Sequence, residues 1–266
     1  MRRPPQAGLL TCAVLSCLLS GSEAFYGSIR RPLQFRRADP KALGWTGQEM
    51  EVTRFLQVST PISSQILFLS PLQTMASFRE EGTTRDATAL PYAAMVGNGV
   101  AWCAYGALAS PAPDSTILLS NLGGVAFGLY YCFTFSKHMS RGSNAPAIFA
   151  GMFTVVGAII AAALALPTQT AHELTGFTGV AFSLIMTSGP LASIRAVLRD
   201  CSASSLPMGF TLAAALTSGL WASYGLLVID DPLVYGPNVV GLIASATQLL
   251  LYARFGDNEE GCALYY

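Results

Sequence analysis

Charged residues are scarce in this sequence, and their scarcity excludes a water-soluble domain. The 266 residues are 11% charged and 52% hydrophobic, whereas a soluble domain carries roughly 25% charged residues. The 15 basic and 15 acidic residues cancel, so no surplus of positive charge favours nucleic acid as a partner. The composition predicts an integral membrane protein.

Cysteine and histidine are few, and their spacing excludes the common metal sites. The six cysteines show no C-x-x-C spacing, and the two histidines are not paired. We therefore expect no metal, no cofactor and no disulfide framework. The chain also lacks the G-x-x-x-x-G-K-[ST] phosphate loop that would indicate ATP-driven chemistry.

The N-terminal residues have the composition of a targeting leader. Arg2 and Arg3 precede the apolar run AGLLTCAVLSCLL, and small residues follow it before Phe25, as in a secretory signal peptide. Residues 25–50 are basic and poor in acid, as plastid transit segments are. We expect a signal peptide over residues 1–24. The basic segment is then either a transit segment, as in the two-part leaders of algae with secondary plastids, or a disordered tail.

Long apolar runs fill the rest of the chain. Seven segments of membrane-spanning length are separated by short polar or Pro/Gly-rich turns, which predicts an all-α membrane protein. The predicted spans are residues 54–78, 89–108, 115–136, 147–166, 173–198, 206–228 and 233–255.

Basic residues are distributed unevenly among the turns. Lys and Arg follow spans one, three and five and end span seven, whereas the other turns have acidic residues and no basic ones. Because Lys and Arg are retained on the cytosolic side during insertion, we expect an outside or lumenal N-terminus and a cytosolic C-terminus. The membrane is the plasma membrane or, given the leader, an envelope membrane of a secondary plastid.

The chain also contains an internal repeat. WCAYG at residues 102–106 recurs as WASYG at residues 221–225, an offset of 119. Three further pairs keep the same order around it: Pro71 with Pro190, Pro91 with Pro207, and Asn121 with Asn238. An order kept in both halves indicates a duplicated unit of three spans.

The fourth predicted span contains none of the repeated residues. Because a unit of three spans ends on the opposite side of the membrane from its start, two units pointing the same way need one extra span between them. We therefore predict two parallel three-helix bundles joined by a linker helix, a 3+1+3 arrangement. The first repeat is residues 51–143, the linker helix 144–168, the second repeat 169–256 and a short cytosolic tail 257–266.

This ordered set of prolines, tryptophans and asparagines resembles the SWEET family of sugar facilitators over residues 54–255. The resemblance implies bidirectional facilitated diffusion of a sugar across a membrane by alternating access. The implied partners are a mono- or disaccharide substrate and membrane lipid, with a homo-oligomer left open. The long leader departs from the family's usual short N-terminus.

The repeated aromatic and amide residues form the predicted substrate-binding site. Trp102 and Trp221 could offer flat apolar faces to a pyranose ring, the alternative being tryptophans of the interfacial belt. Asn121 and Asn238 supply the donors and acceptors that sugar hydroxyls need, and the resemblance places sugar-binding asparagines in these spans. Hydrogen bonding between helices is the alternative role for both amides.

Four further residues are predicted to line the walls of this site. Asn98 and Thr217 precede the tryptophans by four residues and so lie on the same helix face. Leu67 and Met186 each precede a proline by four residues, although ordinary packing would also account for them. By the resemblance, bulky side chains at these positions imply a hexose such as glucose, and Thr217 fits neither type clearly.

Four prolines fall towards the predicted cytosolic ends of their helices. Each would remove a backbone hydrogen bond and permit a kink, and the resemblance implies that together they act as hinges of a gate. They are Pro71, Pro91, Pro190 and Pro207. The remaining repeated residues are expected to serve packing and close helix approach at the other end: Tyr105, Gly106, Tyr224 and Gly225.

The centres of the predicted spans contain no Asp, Glu, Lys, Arg or His, where ion-coupled carriers usually hold an ionisable residue. The sequence therefore predicts a uniporter. The alternative is a non-transporting seven-span cargo or ligand receptor of related architecture. We expect no enzyme, because His138 and His172 flank the predicted spans and no nucleophile, metal cluster or carboxylate pair lies within them.

Overall fold

Eight α-helices account for most of the chain in the computed structural model, which describes residues 47–204 and 206–256. No strand occurs among these described residues. The helices are α1 (Gly47–Leu69), α2 (Leu72–Glu81), α3 (Leu90–Ala107), α4 (Ser115–His138), α5 (Ala145–Ala165), α6 (Thr168–Asp200), α7 (Met208–Leu227) and α8 (Pro232–Phe255). The signal peptide, nearly all of the basic leader and the C-terminal tail predicted from the sequence lie outside the described residues.

The outer surface of the helices is apolar. Large hydrophobic side chains are exposed along it, among them Leu164, which is 83% exposed, and Leu250, which is 71% exposed. Five helices, α4 to α8, are long and apolar enough to cross a membrane by length and composition. Helices α1 and α3 are the repeat counterparts of α6 and α7, which completes the predicted seven-helix membrane architecture.

The helices form two bundles with the same internal order. In the first bundle α4 packs against both α1 and α3, and in the second α8 packs against both α6 and α7. The bundles meet where α1 contacts α7 and where α6 contacts α3. Helix α5 joins them and packs against α3 and α6. The predicted 3+1+3 arrangement is thus confirmed, with each bundle's first helix against the other bundle's second.

The predicted first span is wrong as a single helix. α1 ends at Leu69 and α2 begins at Leu72, with Pro71 as the residue that precedes it. Proline has no N–H to continue the ladder, and the backbone N–H of Ser70 instead donates to the carbonyl of Leu67 at 3.2 Å, a tighter turn. The equivalent Pro190 lies inside α6, which continues through it.

The other two repeated prolines lie at the starts of helices. Pro91 stands in the first turn of α3, and Pro207 precedes the first residue of α7. Backbone N–H groups of a first helical turn have no partner within the helix, so a proline there costs no hydrogen bond. The prediction that each of the four prolines removes a helix hydrogen bond is therefore wrong for Pro91 and Pro207.

Two further sequence expectations are corrected. α6 begins at Thr168 rather than at residue 173, so His172, which was expected to flank a span, lies inside the helix and is buried. Cys201 forms a disulfide, and its partner is not among the described residues. The C-x-x-C spacing pattern detects only closely placed cysteine pairs.

Candidate functional site

A cavity lies between the two bundles, and all six bundle helices contribute to its walls. It has a volume of ≈ 160 Å³, smaller than the roughly 300–1,000 Å³ of drug-sized ligand sites. Among the described residues, none of those that line it is ionisable. The lining residues are Ser64, Leu67, Phe68, Asn98, Trp102, Ile117, Asn121, Ser183, Met186, Thr217, Trp221, Val234 and Asn238.

The structure brings together all eight residues that the sequence predicts for substrate binding. They lie in this one cavity, although the predictions came from six separate segments of the chain. All but one of the lining residues form repeat pairs, such as Leu67 with Met186, and Phe68 has no lining counterpart. The duplicated sequence therefore gives the cavity a lining with approximate two-fold symmetry. That these side chains bind a substrate stays a prediction.

Each tryptophan is held by a serine of the opposite bundle. The indole Nε1–H of Trp221 donates to Ser64 Oγ at 2.9 Å, and that of Trp102 donates to Ser183 Oγ at 3.3 Å. Both rings are largely buried. A buried indole needs an acceptor for its N–H, so the serines fix the ring orientations and join the two bundles beside the cavity.

The positions one turn before the tryptophans differ between the halves. Asn98 Oδ1 accepts from Ser183 Oγ at 2.9 Å and from Trp102 Nε1 at 3.2 Å. Thr217 instead donates its hydroxyl to the backbone carbonyl of Ser63 at 3.2 Å. The first half therefore places an amide in the wall of the cavity where the second half has a short hydroxyl.

The two repeated asparagines present matching chemistry. Asn121 Nδ2 donates to the Ile117 carbonyl at 2.8 Å, and Asn238 Nδ2 donates to the Val234 carbonyl at 2.7 Å, both one turn back in their own helices. Neither Oδ1 accepts a hydrogen bond from another described residue. Each amide therefore offers its carbonyl oxygen to the cavity, as a hydroxyl-bearing ligand requires.

A second cavity, of ≈ 460 Å³, adjoins the first, and Met186 lines both. Its walls include Pro91, Pro190 and Pro207, so we call this side of the bundle pair the proline end. The cavity is bounded by α3 on one side and by α6, α7 and α8 on the other. Pro71 does not line it. Three of the four predicted hinge prolines therefore surround one opening between the bundles.

The opposite side, which we call the aspartate end, is bridged by two reciprocal contacts. The Tyr105 hydroxyl of the first bundle donates to Asp231 Oδ2 of the second. The Tyr224 hydroxyl of the second bundle donates to Asp114 of the first, at 2.8 Å to Oδ2 and 3.1 Å to Oδ1. All four residues are buried. The sequence predicted only packing for these tyrosines, and the structure shows charge-assisted hydrogen bonds between the bundles.

Each aspartate is positioned by the start of its own helix. Asp114 accepts from the backbone N–H groups of Thr116 and Ile117 at the start of α4, and Asp231 accepts from that of Leu233 at the start of α8. Burial raises the pKa of the Asp231 carboxyl above its ordinary value, and the hydrogen bonds from Tyr105 and from backbone N–H groups oppose that rise. One carboxylate thus serves as helix cap and as bridge.

His172 adds an element that has no counterpart in the other half. Its imidazole stacks on the Tyr105 ring, with centroids 3.9 Å apart. Tyr105 also meets Trp102 edge to face, with ring centroids 5.3 Å apart. The residue at the equivalent repeat position is Thr53. The two bridges at the aspartate end are therefore alike in their hydrogen bonds and different in their surroundings.

The glycine of each W-x-x-Y-G repeat lets the following loop fold back on the helix. The backbone N–H of Asp231 donates to the Gly225 carbonyl at 2.8 Å, and that of Asp114 donates to the Gly106 carbonyl at 2.7 Å. A Cβ atom at Gly225 would lie 2.7 Å from the backbone nitrogen of Tyr235. A glycine is therefore required at position 225, where the backbone of the next helix approaches closely.

Gly225→Ala is expected to lower the free energy of unfolding by about 1–3 kcal/mol, because the new methyl group meets backbone rather than a flexible side chain. Thermal unfolding of the detergent-solubilised protein measures the change. Gly219→Ala is the matched control in the same helix, since its nearest neighbour would be Leu242 Cδ1 at 3.9 Å. Equal stability of the two variants would contradict the close-approach argument.

Sequence reasoning missed two sets of residues in this region. Ser64 and Ser183 share the offset of 119 with the tryptophans, so the repeat itself carried a signal for them. Asp114 and Asp231 each precede a helix start, which is a recognisable capping position. That each aspartate would meet a tyrosine of the other half could not be read from the sequence, because the contact depends on how the bundles face each other.

Comparison with known proteins places these features in a family. A family described as "Sugar efflux transporter for intercellular exchange" matches residues 54–142 and 173–260. The match therefore covers both repeats and omits the region of the linker helix.

Similar proteins include several plant transporters. The chain is 30% identical to the bidirectional sugar transporter SWEET2a of Sorghum bicolor over 205 residues, 73% of this chain and 82% of that protein. It is 31% identical to the bidirectional sugar transporter SWEET4 of Arabidopsis thaliana over 200 residues, 73% and 78% of the two chains. A solved structure of a eukaryotic SWEET transporter matches with a TM-score of 0.70 and 26% identity, covering 80% of this chain and all of that one.

Proposed function

Because this chain belongs to the SWEET family of sugar transporters, we propose that it moves a sugar in both directions across a membrane by facilitated diffusion with alternating access. The observation that carries the proposal is the uncharged cavity between the bundles, lined by paired tryptophans and asparagines. Transport runs down the sugar gradient, since no ionisable side chain among the described residues lines the cavity to couple it to an ion.

The chemistry of the cavity suits a sugar. Trp102 and Trp221 present apolar faces for the C–H side of a pyranose ring, and their indole N–H groups are occupied by serines. The carbonyl oxygens of Asn121 and Asn238 accept from sugar hydroxyls, because each amide has already used a donor on its own helix. Apolar plates with a few fixed polar groups are the usual design of small-molecule sites.

We further propose a hexose such as glucose as the substrate. Leu67, Met186 and Phe68 narrow the cavity with bulky apolar side chains, and Asn98 adds an amide where the other half has Thr217. Less space is left for the second ring of a disaccharide. The eight residues that the sequence predicts for substrate binding are our proposed binding set. The prolines that surround the second cavity are our proposed gate.

The two ends of the bundle pair suggest how access alternates. The Tyr105–Asp231 and Tyr224–Asp114 bridges close the aspartate end, while the cavity at the proline end lies open between the bundles. This arrangement corresponds to one state of the cycle. In the other state the bridges break and the proline residues approach one another.

The uneven distribution of Lys and Arg supports a cytosolic proline end. Arg79, Lys137 and Arg199 lie near the ends of α2, α4 and α6, and basic residues are retained on the cytosolic side. We propose a lumenal or outside N-terminus, a cytosolic C-terminus and residence in the plasma membrane or a secondary-plastid envelope. The exposed apolar surface of the helices contacts lipid, and a homo-oligomer remains our prediction only.

Uptake of labelled glucose into liposomes containing the purified protein tests the function. We expect uptake that stops when the labelled glucose reaches equal concentrations on both sides, is unaffected by a proton or sodium gradient, and is slower for sucrose than for glucose. Labelled glucose preloaded inside should leave at a comparable rate. Binding of glucose without any uptake would favour the receptor alternative, and faster sucrose uptake would contradict the hexose assignment.

A further inference from the structure

Gln248 of α8 and Tyr131 of α4 occupy equivalent positions in the two bundles. The offset of 117 between them is also the offset between the two asparagines of the cavity. Each is buried, and each donates a hydrogen bond to the backbone of its bundle's first helix, at or just before the repeated proline. Tyr131 Oη–H donates to the Phe68 carbonyl of α1 at 2.7 Å, and Gln248 Nε2–H donates to the Pro190 carbonyl of α6 at 3.2 Å.

The two bundles differ in whether the helix continues through the repeated proline, Pro71 or Pro190. In the first bundle the helix stops before Pro71, and Tyr131 satisfies a carbonyl of the last turn of α1, where carbonyls lose their helical partners. In the second bundle α6 continues through Pro190, and the bond from Gln248 reaches the proline itself. One fold therefore contains an interrupted and a continuous form of the same hinge.

The Gln248 side chain also reaches the neighbouring helix α7. Its Oε1 lies 3.4 Å from the hydroxyl of Thr211, and that hydroxyl lies 3.3 Å from the Pro207 carbonyl. The amide thereby connects both proline positions of the second bundle. Around Tyr131 the corresponding space is filled by apolar side chains, namely Phe68, Met75, Phe78, Met95 and Phe135.

From these contacts we propose that Gln248 is a positioning residue that keeps α6 continuous at Pro190 and thereby stabilises the state open at the proline end. The inference rests on the proposed transport cycle. For the proline end to close, α6 bends at Pro190 as the first bundle does at Pro71, and the Gln248 bond breaks. A proline removes one backbone hydrogen bond of its helix. A single hydrogen bond from a neighbouring helix therefore shifts the equilibrium between the continuous and the bent form of α6.

The inference is tested by the accessibility of the second cavity. Ser188 is exposed and lines that cavity, so Ser188→Cys reports its opening through the rate of maleimide labelling in the detergent-solubilised full-length protein. Labelling of the parent protein, which has serine at this position, is subtracted. Gln248→Met keeps the length of the side chain and removes its hydrogen bonds. We expect the rate of labelling to fall about fivefold, the factor that corresponds to losing the one hydrogen bond to the Pro190 carbonyl.

Thr211→Val is a second test that leaves Gln248 in place. It is nearly isosteric and removes the hydroxyl that meets Gln248 Oε1, so labelling should slow in the same direction by a smaller factor. Thr247→Val is the matched control, because its hydroxyl donates only to the Ile243 carbonyl within α8, and it should label as the parent does. Should Gln248→Met not fold, the Thr211→Val result decides.

Unchanged or faster labelling in the folded variants overturns the inference. Glucose uptake measured in parallel separates it from the transport proposal, because labelling needs no sugar. If the wild-type protein carries no sugar and Gln248→Met still slows labelling, the transport proposal fails while the hinge bond stands. If uptake is normal and labelling does not change, the assignment of Gln248 fails alone.

Discussion

Replacing Trp102 or Asn238 by alanine is expected to abolish glucose uptake while the protein still reaches the membrane. Trp102→Ala removes a wall of the cavity and its hydrogen bond to Ser183. Asn238→Ala removes an acceptor proposed for a sugar hydroxyl. Each loss should lower uptake by at least about tenfold, since roughly 1.4 kcal/mol of binding energy corresponds to that factor.

The design needs variants that separate binding from folding. Trp102→Phe keeps an aromatic face and gives up only the indole N–H, so it should retain part of the activity. Phe153→Ala is the control for losing an aromatic ring, because Phe153 is 59% exposed on α5, away from the cavity. Wild-type uptake by both alanine variants, at equal amounts in the membrane, would remove the assignment of the binding site.

Removing the hydroxyl groups of both Tyr105 and Tyr224 is expected to open the aspartate end. The double variant Tyr105→Phe with Tyr224→Phe keeps the rings and deletes both bridges between the bundles. Hydrogen bonds to charged groups contribute about 1.5–3 kcal/mol each, so their joint loss should shift the equilibrium by at least a hundredfold. Uptake should fall, because a carrier that cannot close one end cannot complete the cycle.

The shift is measured as a distance. Spin labels at Ala112 and Asp230, which lie exposed in the two loops of this end, should move apart in the double variant. Tyr130→Phe is the matched control, because it also loses a tyrosine hydroxyl, one that contacts Arg79 at the other end of the bundle. An unchanged distance distribution in the double variant would show that the bridges do not hold this end closed.

The duplicated residues explain why so much of the site was accessible from sequence. An exact spatial arrangement was not needed, because two copies of one helical unit place equivalent side chains at equivalent depths. The offset of 119 therefore identified Trp102 with Trp221 and Leu67 with Met186, and all four line the cavity. A residue repeated in both halves therefore indicates an equivalent position in each bundle.

The same reasoning could not predict the contacts between the bundles. The pairing of Tyr105 with Asp231 joins residues of unlike type from different halves, so no internal repeat of a single motif reveals it. The break at Pro71 was missed for a related reason. Pro190 has a similar sequence context but lies in a continuous helix, so the proline motif alone does not predict the break.

The near two-fold lining of the cavity has a consequence for stereochemistry. A ring-shaped solute that fits between the tryptophans has a second pose, turned by half a revolution, in which it meets almost the same atoms. Recognition of individual epimers or anomers then depends on the few places where the two halves differ: Asn98 with Thr217, Leu67 with Met186, Ile117 with Val234, and the unpaired Phe68.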